Sequence, residues 1–171
     1  MLFRSVSQSR SGGGGGAGGF RYSASTYCSP ACAPAHPLRS ATGLSVSTGA
    51  NPVTVGAGGS GTPCRTPGSN SSFSTITSAG GGGGDATGGS GGGRTHRGGS
   101  GFAGNTPPVS PPQGNAGGDS PFCVYSAGGG GGATAVGANA TGPLGSGAGG
   151  AGGAGGGLPS AFGTSGVKRG S

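Results

Sequence analysis

The sequence predicts an irregular, glycine-rich fold without α-helix: a bundle of polyglycine-II or polyproline-II-like segments carrying a few short β-strands, with substantial disorder as the competing outcome. Three observations predict it. Glycine supplies 50 of the 171 residues, several times the average share of about 7%. It recurs as pure runs at 12–16, 80–84 and 128–132. The stretch 149–157 reads GGAGGAGGG, matching the roughly 3 residues per turn of a polyproline-II helix.

Composition limits the alternatives. Glycine gives up roughly 0.5–1 kcal/mol more than alanine on ordering, and the chain has only eight Val, five Leu, one Ile, one Met, six Phe and three Tyr to bury in return. Order must then come from backbone packing rather than from a side-chain core. The net charge of +7 is spread over nine Lys and Arg, and Asp85 and Asp119 are the only acids. That charge density is too low to keep a chain solvated by charge alone, which favours compaction or self-association.

Along the chain, residues 1–11 form a polar N-terminal tail, 12–165 a glycine-rich domain, and 166–171 a basic C-terminal tail. Residues 22–41 interrupt the domain with Pro30, Pro34, Pro37, Cys28, Cys32 and His36, and read as a loop insertion. Leu44-Ser45-Val46-Ser47 and Val53-Thr54-Val55 alternate apolar and polar residues across a short link, predicting a β-hairpin. Ser72 to Thr77 predicts a further strand. Pro107-Pro108 and Pro111-Pro112 favour an extended backbone within the Gly-, Ser- and Pro-rich stretch 86–120. In 149–157, the period stacks Ala151 and Ala154 on one edge and leaves two edges of bare backbone. Such edges can exchange N–H···O=C bonds with neighbouring segments. Gly and Pro interrupt every window long enough for a helix.

Several short patterns imitate chemistry. Gly56 to Gly61 fits G-x-G-x-x-G, but the residues that follow include Pro63 and Pro67 where the phosphate-binding helix would start. Gly88-Gly89-Ser90-Gly91-Gly92 fits the nucleophile elbow without the strand-to-helix turn it requires. Cys28, Cys32 and His36 lack the second ligand pair of a zinc site. Arg97-Gly98-Gly99 is a single RGG unit with no dense charge around it, which argues against nucleic-acid binding. The expectation is a non-enzymatic protein with no catalytic, metal or cofactor residues. Neither a signal-peptide core of about 7–15 apolar residues nor an apolar run of 18 or more is present, so membrane insertion is not expected.

Several segments occur in an order that resembles the glycine-rich domain of bacteriophage tail-fibre and adhesin proteins. They are GGGGGAGGFR from Gly12, TGLSVST from Thr42, NPVTVGAGG from Asn51, NSSFSTITSAGGGGG from Asn70, GNAGG from Gly114, GGGGGATAVGANAT from Gly128 and GAGGAGGAGGGLPSAFGTS from Gly147. The resemblance spans most of 12–165, and VTVGAGG and NSSFSTIT are its most specific parts. It implies packed polyglycine-II helices with variable loops at one end that contact host receptors. Phe102, Phe122 and Tyr125, which by themselves read more readily as small packing clusters than as exposed loop contacts, are then the candidate receptor contacts. The implied partners are tail-assembly proteins, other copies of the chain and a bacterial surface receptor, and the implied location is the virion or extracellular space. The segments 22–41, 62–67 and 106–113 depart from the family pattern, and so do the two ends, which suggests a fragment or a diverged chain. Two further readings fit the composition: a self-associating fibril or matrix protein, and an ice-binding polyproline-II bundle.

Overall fold

Three consecutive residues of the central glycine segment bond to three different neighbours, and that pattern organises the molecule. The computed structural model describes residues 12–23, 39–40, 44–60, 65–95, 98–122, 125–143 and 146–156. Among them there is no helix, and the strands are short: β1 (Tyr22–Ser23), β2 (Arg39–Ser40), β3 (Val53–Thr54), β4 (Ser71–Phe73) and β5 (Ile76–Ser78). β1 and β2 pair in parallel, and β3-β4-β5 form an open antiparallel sheet.

Most of the described chain is neither helix nor sheet. In segment 88–94, Gly89 donates to the Gly80 carbonyl, Ser90 to Ala17 and Gly91 to Asn115. Three residues on, Gly93 returns to Gly14 beside Ala17, and Arg94 to Gly118 beside Asn115. Segment 127–132 repeats the rule. Gly128 and Gly131 donate to Arg94 and Gly91, while Gly129 and Gly132 donate to Ala138 and Ala135. Hydrogen bonding between separate segments thus satisfies main-chain groups that a helix would pair internally.

Close approach explains the glycine. A Cβ at Gly91 would overlap the Phe102 carbonyl, at Gly92 that of Gly83, at Gly118 that of Ala138, and at Gly130 that of Gly15. The Cα–H bonds there point at oxygen, the arrangement of weak Cα–H···O contacts. Where the lattice leaves room, small side chains are buried: Ala79, Ala127, Ala133 and Ala140 are the buried hydrophobic residues. At the lattice edge Gly12, Gly15 and Gly18 are exposed, one residue in three.

Three local expectations need correction. Val53-Thr54 does not pair with 44–47. It pairs with β4, Val53 opposite Phe73, while the Asn51 side-chain amide donates to the Ser47 and Gly49 carbonyls and closes a separate turn. Residues 72–77 are a hairpin rather than one strand: β4 turns at Ser74, whose φ is 51°, into β5 with Phe73 opposite Ile76. Residues 107–112 do not continue an extended run. The Asn105 side-chain oxygen accepts from Val109 N–H at 3.1 Å and Gln113 N–H at 3.2 Å, folding them into a compact loop. In each case a side chain or a turn residue captured the backbone before the longer extended element could form.

Candidate functional site

Segment direction determines which loops meet. Gly16 and Gly19 bond to Gly82 and Ala79, so segments 12–20 and 79–85 are antiparallel; Gly91 and Arg94 bond to Asn115 and Gly118, so 88–94 and 113–120 are parallel. Extending this through every pairing, 79–85, 88–94, 113–120 and 135–141 run one way and 12–20, 99–106, 127–132 and 148–154 the other. Asp85, Thr95, Gly98, Phe122, Tyr125 and Gly142 therefore gather at one end. Ser78 at the exit of β5, Val109 and Ala133 lie at the opposite end.

At the first end Asp85 joins three segments. Its carboxylate pairs with Arg65 Nη1 at 3.0 Å and lies 3.9 Å from Arg94 Nη1. It also accepts the Thr95 N–H at 3.0 Å. Asp85 sits at φ 65°, a left-handed backbone that Asp tolerates better than most residues. All three side chains are about 30% exposed, so each ion pair contributes well under about 1 kcal/mol, and the cluster acts mainly to hold the segment ends in register. Arg94 Nε donates to the Gly98 carbonyl at 2.8 Å, and its guanidinium lies 5.5 Å from the centre of the Phe102 ring.

Of the three aromatic candidates, Phe102 is half-buried under Arg94. Phe122 is 73% exposed, and its ring covers Gly98, whose φ is 75°. These two share one corner with Arg94. Tyr125 is 66% exposed and lines a groove with Gly12, Gly14 and Gly147 on another side of the same end. The structure thus brings Phe102 and Phe122 together and separates Tyr125 from them. Ser90 of the elbow-like pattern is fully buried mid-lattice, its hydroxyl donating to the Gly132 carbonyl at 3.1 Å. Cys28, Cys32, His36 and Arg97 lie outside the described residues.

Two roles escaped the sequence reading. The Asp85 cluster had one signal, a lone acid closing a pentaglycine run. Gln113 had none: it is 1% exposed, its Oε1 accepts the Ala79 N–H at 2.8 Å and its Nε2 donates to the Pro107 carbonyl at 3.0 Å. A cleft of about 730 Å³ also opens between 12–19, 56–60, 65–71 and 78–84, lined mostly by glycine with Arg65, Thr66 and several serines.

The model of a glycine-rich domain family matches residues 5–171, nearly the whole chain. The chain belongs to this family. No curated protein and no solved structure matches it. In this glycine-rich domain, no described helix is long and apolar enough to cross a membrane.

Proposed function

We propose that the chain is a non-enzymatic display module of the phage tail-fibre adhesin type, in which polyglycine-II segments form a stiff support for recognition loops. The observation that carries this reading is the gathering of Phe122, Tyr125 and the Asp85 cluster at one end of a backbone-bonded lattice. Phe122 and Tyr125 are the exposed aromatics among the described large hydrophobics, the others being Val46, Val53, Val55 and Val136, and large aromatics are the groups best suited to specific contact. The return of each third residue to the same neighbour supports a threefold helical conformation for the segments. The partners in this reading are a bacterial surface receptor and tail-assembly proteins, and the location is the virion or the extracellular space.

Binding of the purified full-length chain to a panel of intact bacterial strains tests it. Binding to a subset of strains is expected, and it should be lost in Phe122→Ala or Tyr125→Ala variants that keep the wild-type circular dichroism spectrum. Binding to no strain, or equal binding by both variants, refutes the proposal.

A further inference from the structure

Segment 127–132 has five hydrogen-bonded neighbours. It donates to 88–94 and to 135–138, and it accepts from Gly14 and Ala17, from Asn115 and Gly118, and from Gly150 and Gly153. A threefold segment in such a lattice alternates donating and accepting directions, six in all. The direction left over belongs to the N–H groups of Ala127 and Gly130. Both residues are buried, yet neither N–H meets an acceptor among the described residues. A buried N–H without a partner is rare in native structures.

Their direction is the gap between segments 12–18 and 148–152, which both bond to 127–132 but not to each other. A groove of about 370 Å³ runs there, with Gly12 and Gly14 on one side, Gly149 and Gly150 on the other, and residues 126–128 as its floor. Ser126, on that floor, is 4% exposed and its hydroxyl has no hydrogen-bond partner. Among the described residues, the carbonyls of Gly15 on one rail segment and of Gly150 and Gly153 on the other accept no N–H. The groove therefore offers acceptors, donors, then acceptors across its width.

We infer that this groove is an open lattice position, filled by segment 148–154 of a second copy of the chain. The outer side of that segment has the complementary order. Among the described residues, the N–H groups of Gly149 and Gly152 meet no acceptor, their carbonyls meet no donor, and the N–H groups of Ala151 and Ala154 are also unused. Nothing among the described residues requires glycine at 149 and 152, because an added Cβ there meets nothing nearer than 3.6 Å and 3.9 Å. An incoming backbone supplies that cause. The methyl groups of Ala151 and Ala154 set the closest approach. Groove and segment are different surfaces, so the contact is heterologous and builds a ring or a filament. It does not depend on cell binding, and either proposal can fail alone.

Sedimentation velocity of the full chain in reducing buffer, over a wide range of concentration, is the test. The mass is expected to rise above that of one chain, and the Ala127 and Gly130 amides to gain exchange protection as it does. Gly149→Val with Gly152→Val should remain a single chain with unchanged circular dichroism. Ser126→Ala, which removes the orphaned hydroxyl, should weaken association without lowering thermal stability. A chain of single mass at every concentration, or equal association by the valine variant, overturns the inference. A single-chain species with both amides already protected assigns the groove to the chain's own terminal residues, and equally overturns it.

Discussion

Gly92→Ala adds one methyl group to the central segment, and the lattice has no place for it. The new Cβ would overlap the Gly83 carbonyl, so segment 79–86 must move away. That movement strains four bonds between these segments: Gly82 N–H to Ser90 O at 2.9 Å, Asp85 N–H to Gly93 O at 3.3 Å, Gly89 N–H to Gly80 O at 2.8 Å and Gly92 N–H to Ala86 O at 2.8 Å. At about 0.5–1.5 kcal/mol each, less about 0.4–1 kcal/mol gained by restricting the unfolded chain, the net loss is roughly 1–5 kcal/mol. Gly18→Ala is the matched control. Gly18 is exposed and its added Cβ lies 3.9 Å from the nearest atom, the Ala79 carbonyl oxygen. The methyl group enters open space there, and a gain of about 0.4–1 kcal/mol is expected. Chemical denaturation followed by circular dichroism measures both. If Gly92→Ala proves no less stable than Gly18→Ala, glycine is not required by close backbone approach, and the account of this fold fails.

Gln113→Ala removes the acceptor of the Ala79 N–H and the donor to the Pro107 carbonyl; stranding both groups should cost about 2–4 kcal/mol, read from the denaturation midpoint, and a loss under about 0.5 kcal/mol would show the bridge to be idle. At the β4–β5 turn, Ser74 holds φ 51°. Ser74→Gly should be neutral or stabilising by up to about 1 kcal/mol and Ser74→Val destabilising by about 1–2 kcal/mol, with melting temperature as the measurement and the reverse order as the refuting result.

The lattice was legible where the sequence repeats. Ala151 and Ala154, three residues apart, do share a face, and their carbonyls accept from Ala138 and Thr134 in turn. Strand signals around Val53, Phe73 and Ile76 marked extended backbone correctly but not its partners, because alternation in short Ser- and Thr-rich runs is compatible with several pairings. Gln113 was illegible for a different reason. Its burial depends on segments 79–80 and 107–113 meeting at one end, and nothing local in the sequence announces that meeting. The aromatic candidates could be named from their isolation in a small-residue background. That Phe102 and Phe122 flank Arg94 while Tyr125 lines a groove with Gly12 and Gly14 required the order of the segments.

The absence of a large side-chain core from the described lattice bears on how such a protein can diverge. In an ordinary domain, a new loop sequence must remain compatible with the packed side chains beneath it. Here the support under Phe122 and Tyr125 is main chain bonded to main chain, identical in chemistry whatever the loop contains. Loops at that end can change residues or length without compensating substitutions below, while the closely packed glycines, Gly91, Gly92, Gly118 and Gly130 among them, leave no room for a side chain. Variation and constancy are thus divided along the length of one molecule.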